Sequence, residues 1–172
     1  MKISLFKTLN LALFGMMCAS VLQAQDMKER ASPPKEATGK IGDATVTINY
    51  SSPGVKGRKI WGGLVPYNQV WRAGANEATL FETDKDLTVE GNQLPAGKYS
   101  LYAIPGENEW TIIFNKQTGQ WGTVYKEDMD AFRVQAKPKK SEEMTERLAY
   151  IVNDDGFSLI WENLEVPVSI KE

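Results

Sequence analysis

Apolar and polar residues alternate along much of the chain, beginning with the segment 44–50. Ala44, Val46, Ile48 and Tyr50 fall on one face of that segment, and polar residues separate them. Successive side chains of a β-strand point to opposite faces. The alternation therefore predicts a strand with one face in the core and the other near solvent.

Similar segments recur at short intervals, and residues that favour turns separate them. The clearest pair covers 98–104 and 109–115, where the Pro-Gly-Glu-Asn sequence between them predicts a β-hairpin. A second turn is predicted at 153–156, and it explains the Asn-Asp-Asp-Gly sequence there without the calcium ion that these oxygen atoms could otherwise hold. Further strands are predicted at 79–83, 87–90, 132–136, 143–153, 157–162 and 164–170.

These strands define the fold class. The beginning of 143–153 also suits the first turn of a helix, but alternation along the segment favours a strand. The chain is therefore predicted to be all-β, an antiparallel β-sandwich or jelly-roll-like barrel of about 8–10 short strands with little helix. Residues 41–172 are predicted to form this single domain. Residues 25–40 are polar, contain a Pro-Pro pair and show no apolar period, so a flexible linker is expected there.

The first 24 residues have the three parts of a secretory signal peptide. Lys2 and Lys7 supply a positive start, 9–22 is mostly apolar, and Ala24 is a small residue before a polar sequence. The apolar part is shorter than the roughly 20 residues that a spanning helix needs. Cleavage after Ala24 is therefore expected, with the mature protein periplasmic or secreted and without a transmembrane segment.

The net charge of the chain limits the classes of macromolecule that it can bind. The full chain has 20 basic and 22 acidic residues, and cleavage would remove two lysines, which leaves a net charge of −4. A mildly acidic protein without a basic face is a poor nucleic-acid binder, so no nucleic-acid partner is expected. The oligomeric state stays open.

Histidine does not occur in the chain, and its single cysteine, Cys18, lies in the predicted signal peptide. A mature protein without either residue cannot form a disulfide, a cysteine nucleophile or a serine–histidine–carboxylate triad. The usual zinc, copper and haem sites also need these ligands. We therefore expect no metal and no cofactor.

The segment 51–79 departs from the alternating pattern. It is rich in glycine and contains two tryptophans and two arginines. A long loop inside a compact domain is usually functional or disordered. Tryptophan and glycine at this density argue for order, so a binding site is expected here.

Several motifs in and around this segment resemble one family. They are Val-Lys-Gly-Arg-Lys-Ile-Trp-Gly-Gly-Leu-Val-Pro-Tyr at 55–67, Val-Trp-Arg-Ala-Gly-Ala-Asn-Glu-Ala-Thr at 70–79, Leu-Pro-Ala-Gly-Lys-Tyr-Ser-Leu at 94–101, Glu-Trp-Thr-Ile-Ile-Phe-Asn at 109–115, Trp-Gly at 121–122 and Leu-Ile-Trp-Glu at 159–162. Together they resemble the domain of unknown function 2911 family over nearly the whole mature chain. The resemblance implies an exported bacterial protein of β-sandwich type without an established activity. It carries no catalytic residues over to this sequence.

Four polar residues of the segment are candidates for a ligand site, namely Arg58, Arg72, Asn76 and Glu77. Guanidinium groups bind carboxylates, phosphates and sugar hydroxyls, and Asn76 and Glu77 could complete the hydrogen bonds. The alternative is an internal ion pair of Glu77 with Arg72 or Arg58 that attaches the loop to the sheet. That alternative is the simpler interpretation, because ion-pair networks also occur where there is no functional site.

Aromatic residues form the second group of candidates. Trp61, Tyr67 and Trp121 could offer flat apolar faces on which sugar rings stack. Trp71 and Trp110 are instead predicted to lie in the core, because each fits the alternation of its segment. Trp61 and Trp121 lie among glycines, and the sequence leaves their exposure open.

Three functional hypotheses follow from these candidates. The leading one is a non-enzymatic exported protein that binds a small polar ligand, a glycan or an envelope partner through the 58–79 region. The first alternative is a hydrolase in which Glu77 is the acid or base and Arg72 stabilises an oxyanion. Glu162 or Asp128 could then be its second carboxylate. The second alternative is a purely structural envelope protein whose arginines stabilise its own loops.

We expect the native mature chain to begin at Gln25. Lipid attachment at Cys18 is the competing possibility, but Met17 fits it poorly because lipoprotein processing requires a small residue before the cysteine. Intact-mass spectrometry of the protein purified from its native source measures the mature amino terminus directly. A chain that begins at Cys18 and carries a diacylglyceryl mass would contradict this expectation.

Overall fold

A computed structural model describes residues 30–172 of the chain. The predicted signal peptide, with Cys18, and the first residues of the predicted linker lie outside the described residues. Within 30–172, no helix is long and apolar enough to cross a membrane.

Ten β-strands and a single 3₁₀ turn make up the regular structure of residues 30–172. The strands are β1 (Pro34–Ile41), β2 (Ala44–Ser51), β3 (Ala75–Thr83), β4 (Leu87–Val89), β5 (Asn92–Leu94), β6 (Gly97–Ile104), β7 (Trp110–Asn115), β8 (Asp130–Ala136), β9 (Lys139–Asn153) and β10 (Gly156–Lys171). The 3₁₀ turn covers Glu127–Met129 and directly precedes β8.

The strands form two antiparallel sheets that enclose one core. The first sheet has six strands in the order β1-β2-β3-β6-β7-β8, and the second has four in the order β5-β4-β10-β9. Buried and partly buried residues alternate along β2, whose Ala44, Val46, Ile48 and Tyr50 all lie in the core. The prediction of an antiparallel all-β sandwich is confirmed, and the two sheets do not close into a barrel.

Both predicted hairpins are confirmed. β6 and β7 pair antiparallel with Tyr102 opposite Ile113. β9 and β10 pair across the 153–156 turn, with Asn153 opposite Gly156. β9 is a strand from its first residue onwards, which excludes the helical alternative at its beginning.

One strand, β10, takes the place of the two predicted strands 157–162 and 164–170. Its pairing with β9 shifts register on both sides of Glu162. Glu162 has a φ of 56°, in the left-handed region, which bends the strand without ending it. The sequence pattern breaks there because a bulge moves the buried face of the strand by one residue.

The prediction of a flexible linker over 25–40 is wrong for its second half. Pro34–Ile41 forms β1, which pairs with β2 along its whole length. β1 is an edge strand with mostly exposed side chains, so backbone hydrogen bonds hold it and its sequence lacks apolar alternation. Gly39 also lies against β9, because a Cβ at that position would be 2.8 Å from the carbonyl oxygen of Val152.

Four tryptophans, which we call the indole cluster, meet between the two sheets. Trp110 begins β7 in the first sheet, Trp161 lies in β10 of the second, and Trp61 and Trp71 come from the segment between β2 and β3. The ring of Trp61 packs edge-to-face at centroid distances of 5.0 Å from Trp110, 5.7 Å from Trp161 and 5.9 Å from Trp71. Aromatic pairs of this kind contribute roughly 0.5–1.5 kcal/mol each beyond their buried area.

The predicted core positions of Trp71 and Trp110 agree with this arrangement. Trp110 is fully buried. Trp71 is partly buried, stacks on Trp161 at 6.0 Å, and donates a hydrogen bond from its indole Nε1 to the carbonyl oxygen of Gly74 at 3.1 Å. The indole cluster therefore attaches the β2–β3 segment to both sheets.

Trp110→Ala should lower the free energy of unfolding by about 3–5 kcal/mol, because it removes a fully buried indole from the cluster. Chemical denaturation with linear extrapolation measures the loss. Trp121→Ala is the matched control, since the same deletion at a position that is 52% exposed should cost about 0.5 kcal/mol or less. Equal losses in the two variants would contradict the assigned role of the cluster.

Candidate functional site

The segment between β2 and β3, residues 52–74, is ordered by contacts with both sheets. Trp71 and Ala103 exchange two backbone hydrogen bonds, so this end of the segment lies alongside β6. Near the other end, the backbone N–H of Val55 donates to the carbonyl oxygen of Glu146 in β9 at 2.8 Å. The prediction of an ordered loop is therefore confirmed.

Two of the aromatic candidates belong to the core or its border. Trp61 is only 7% exposed and lies in the indole cluster, so the stacking hypothesis is wrong for this residue. Tyr67 is partly buried and packs against the core. Its ring also covers Gly62, where a Cβ would lie 2.9 Å from the ring. The apolar surface of both side chains is therefore packed in the core or against it.

Three of the polar candidates line one cavity of about 330 Å³, which we call the arginine cavity. They are Arg58, Arg72 and Asn76, and the indole-cluster residues Trp71 and Trp161 form part of the same wall. The remaining lining residues are Ser32, Pro53, Leu64, Val65, Gly74 and Ala75. The cavity thus combines guanidinium donors with an aromatic wall.

The two arginines of the cavity are not neutralised by acidic side chains of the described chain. Among residues 30–172, no salt bridge includes Arg58 or Arg72. Arg58 donates only to backbone carbonyl oxygens, from Nε to Val55 at 3.1 Å and from Nη2 to Gly54. Nε of Arg72 is buried and has no hydrogen-bond partner within the described residues. Both guanidinium groups therefore keep donors for an anion.

Arg72 follows Trp71, so their side chains point to opposite sides of an extended segment. Trp71 enters the core, and the side chain of Arg72 passes against Gly122 in the loop after β7, where a Cβ would overlap with its Cδ. The charge of Arg72 reaches the hydroxyl of Tyr102. Burial raises the pKa of that hydroxyl, whereas a hydrogen bond from Gln120 and the positive charge of Arg72 act in the opposite direction.

Asn76 forms the border of the cavity. Its side-chain Nδ2 donates to the carbonyl oxygen of Ser32 and to Oγ of Ser51, both at 3.3 Å. Its φ of 57° lies in the left-handed region, as does the φ of 48° at Ala73. Non-glycine residues in such conformations cost of order 1–3 kcal/mol each and concentrate at functional sites.

Glu77 is not part of the arginine cavity, and the predicted ion pair with Arg72 or Arg58 is not formed. The carboxylate of Glu77 instead accepts hydrogen bonds from Nη1 of Arg30, at 2.9 Å and 3.1 Å. Its pKa is lowered, first by a hydrogen bond with its own backbone N–H and then by the hydrogen bond and charge of Arg30. The sequence could not indicate this pairing, because Arg30 lies far from Glu77 along the chain.

Glu77 also lines a different cavity, of about 320 Å³, together with Arg30, Ser51 and Leu80. The amide of Asn76 lies between the two cavities, since it bonds Ser51 of one and Ser32 of the other. Neither Asp128 nor Glu162, the carboxylates considered as partners of Glu77, lines either cavity.

A family of proteins described as "Protein of unknown function (DUF2911)" matches residues 32–170, which covers nearly all of the described chain. The chain belongs to this family. No curated protein and no solved structure matches it significantly. Membership in DUF2911 agrees with the β-rich fold and gives no activity, so the chemistry of the site rests on its own residues.

Trp121 is the only large aromatic candidate that this DUF2911 chain leaves open to solvent among residues 30–172, with 52% of its surface exposed. The loop that carries it pairs with the beginning of β3. The backbone N–H of Gly122 donates to the carbonyl oxygen of Asn76 at 3.0 Å, and that of Ala78 donates to the carbonyl oxygen of Gln120 at 3.2 Å. Trp121 therefore lies opposite Glu77 and its indole shares the Glu77 face, whereas the neighbouring Gly122 faces Arg72.

Three residues near the site were not among the sequence candidates. Trp161 could have been found, because it lies in the closing Leu-Ile-Trp-Glu motif. Ser32 and Arg30 carry no comparable signal, since they reach the site only because β1 folds back beside β2.

Gly122→Ala should destabilise the protein by about 1–3 kcal/mol, because the added methyl group would overlap with Cδ of Arg72 and lie 2.8 Å from the carbonyl oxygen of Asn76. In an Arg72→Ala background the overlap with Cδ is gone, although the contacts with Cβ of residue 72 at 2.9 Å and with the carbonyl oxygen of Asn76 remain, so the same substitution should cost less. Denaturation of the four variants of this double-mutant cycle measures the coupling. Strict additivity would show that Arg72 does not pack against Gly122.

Proposed function

We propose that this protein is an exported, non-enzymatic binding protein that takes a small anionic ligand into the arginine cavity. The observation that carries the proposal is the pair of guanidinium groups, Arg58 and Arg72, that line the cavity without a carboxylate partner in the described chain. Arginine is the residue best suited to planar, two-point recognition of carboxylate, sulfate and phosphate groups.

The charge around the cavity supports an anionic ligand. Lys56 and Lys59 are exposed on the same segment as Arg58. Arg147 lies nearby, where its Nη1 donates to the carbonyl oxygen of Ser52 at 3.1 Å. Glu146 also reaches this surface, where its Oε1 accepts a hydrogen bond from the backbone N–H of Lys56 at 3.0 Å and partly offsets the basic groups. Basic side chains still outnumber it here, although the whole chain has a net charge of −2. A local positive potential of this kind attracts anions and raises their rate of association.

The form of the cavity also suits a small molecule. Its volume of about 330 Å³ is near the lower end of ligand pockets, which hold roughly 300–1,000 Å³. An aromatic wall next to a few polar groups is the usual composition of such a pocket. The indole cluster supports this wall from the core, so the cavity exists before a ligand arrives and binding requires little reordering.

Export is the second part of the proposal, and it is supported by the order of charge, apolar run and small residue in the first 24 residues. The hydrolase alternative has less support. Glu77 has a lowered pKa, which does not suit a general acid at neutral pH, and it lines a different cavity from Arg72. The structural alternative, in which the arginines stabilise their own loops, has partial support, since Arg58 bonds the carbonyl oxygens of Val55 and Gly54, but the ion pairs with Glu77 are not formed.

We expect Arg58→Ala and Arg72→Ala each to weaken anion binding about ten- to hundredfold, because a hydrogen bond to a charged group contributes about 1.5–3 kcal/mol. Isothermal titration calorimetry with acetate, succinate, sulfate, phosphate and glucuronate measures the affinities, after a thermal-shift screen selects the anions that stabilise the wild type.

Lys59→Ala is the matched control, because it removes one exposed charge from the same segment without touching the cavity lining. Its affinity should stay within about threefold of the wild-type value, as expected for a charge that acts only at a distance through a screening solvent. The proposal is wrong if no anion binds, or if the arginine variants bind as tightly as Lys59→Ala.

A further inference from the structure

The apolar part of the arginine cavity limits which anions the cavity suits. Leu64, Val65 and Trp71 line it together with the two arginines. Leu64 is 47% exposed and Trp71 is only partly buried, so both present apolar surface that a ligand can cover. A ligand in this cavity therefore meets apolar surface as well as positive charge.

A tight turn sets the position of Leu64. The backbone N–H of Leu64 donates to the carbonyl oxygen of Lys59 at 3.0 Å, and that of Val65 donates to the carbonyl oxygen of Ile60 at 2.9 Å. Val65 is only 2% exposed, so the turn is attached to the core beside the exposed leucine. The Leu64 side chain therefore belongs to an ordered part of the cavity wall.

The indole of Trp71 gives the wall an apolar surface without a free polar atom. Its Nε1, the one hydrogen-bonding atom of an indole, donates to the carbonyl oxygen of Gly74 at 3.1 Å. One face of the ring stacks on Trp161 at a centroid distance of 6.0 Å. What remains of the ring for a ligand is apolar contact.

Hydrogen-bond acceptors are scarce in the same cavity. Aspartate and glutamate are absent from the lining that residues 30–172 provide. The carbonyl oxygens of Ser32 and Gly74 already accept hydrogen bonds, from Asn76 and Trp71 respectively. An ammonium group on a ligand would therefore find no carboxylate, and several hydroxyl groups would compete for few acceptors. Arginine side chains only donate, so the anionic group of the ligand is the one polar group that is well matched.

We propose that the ligand of the arginine cavity is an amphiphilic carboxylate, whose oxygens bind Arg58 and Arg72 and whose apolar body packs against Leu64 and Trp71. This inference rests on the proposed function and adds the class of ligand. A planar carboxylate matches the fork of a guanidinium group. Each buried methylene-sized group then raises the affinity about fourfold, a gain that sulfate and phosphate ions cannot obtain.

The volume of the cavity sets the size of the apolar body. One water molecule takes up about 30 Å³ of the liquid, so a cavity of about 330 Å³ has room for roughly eleven non-hydrogen atoms. This is the size of 3-phenylpropionate. Acetate leaves most of the cavity unfilled, and a long-chain fatty acid is too large to be enclosed.

Isothermal titration calorimetry of the wild-type protein with four carboxylates tests the proposal. The probes are acetate, 3-phenylpropionate, phenylalanine and glucuronate. 3-Phenylpropionate should bind more than about tenfold more tightly than acetate or glucuronate, because it alone buries an apolar ring. Phenylalanine differs from it by one ammonium group and should bind at least about tenfold more weakly, because that group loses its hydration without a partner. The heat-capacity change of binding should be more negative for 3-phenylpropionate than for acetate.

Leu64→Ala should weaken the binding of 3-phenylpropionate about fivefold more than that of acetate, because it removes apolar surface from the cavity wall. Arg72→Ala should weaken both ligands. Val70→Ala is the matched control, since Val70 is 40% exposed on the same segment and does not line the cavity. It should bind both ligands like wild type.

Failure of this inference differs from failure of the proposed function. If acetate, sulfate or phosphate binds through the arginines but 3-phenylpropionate binds no more tightly than acetate or glucuronate, the amphiphilic ligand is overturned and the anion site stands. The same holds if Leu64→Ala weakens both carboxylates equally or not at all. If none of these anions binds, or if 3-phenylpropionate binds Arg58→Ala and Arg72→Ala like wild type, both proposals are overturned.

Discussion

The mutual packing of the indole cluster is the interaction on which the rest of this structure depends. Trp110 and Trp161 belong to opposite sheets. Trp61 and Trp71 belong to residues 52–74, which form no strand of their own. Fixing the backbone of such a segment costs about 1–2 kcal/mol per residue, so it needs apolar anchors at more than one point. Trp61 and Trp71 are these anchors. Because they lie in the core, the polar residues between and beside them have fixed positions around the arginine cavity.

The opposite directions of two neighbouring side chains, Trp71 and Arg72, link the packing of the core to the geometry of the arginine cavity. Trp71 and Arg72 are neighbours on an extended backbone that pairs with Ala103, so burial of the first sets the direction of the second. Gly122 then leaves the space that the Arg72 side chain occupies. The loop after β7 is in turn held against Asn76, which fixes Gly122 beside the Arg72 side chain. Core packing and site geometry therefore depend on the same few residues.

The sequence was sufficient to predict strands and buried residues wherever the physical constraint acts between residues that are close along the chain. Strands with one buried face show alternation, so β2 and the β6–β7 hairpin were predicted correctly, as was the buried position of Trp110. β1 was missed because an edge strand is held by its backbone and needs no apolar pattern. The partner of Glu77 was missed because Arg30 reaches it only after β1 pairs with β2. The structure brings Arg58, Arg72 and Asn76 to one cavity. Glu77 was grouped with them because it is near in sequence, but the left-handed backbone at Asn76 directs the chain elsewhere.

The arginine cavity carries local energetic costs that bear on the proposed binding role. A buried donor without a partner among residues 30–172, such as Nε of Arg72, costs about 1–3 kcal/mol, and the left-handed backbone at Ala73 and Asn76 adds a similar amount at each residue. A purely structural arginine would lose less free energy beside a carboxylate, and Glu77 is close in sequence but pairs elsewhere. An unpaired guanidinium held by a rigid core is an arrangement that favours binding of an external anion, because the protein does not have to break an internal ion pair first.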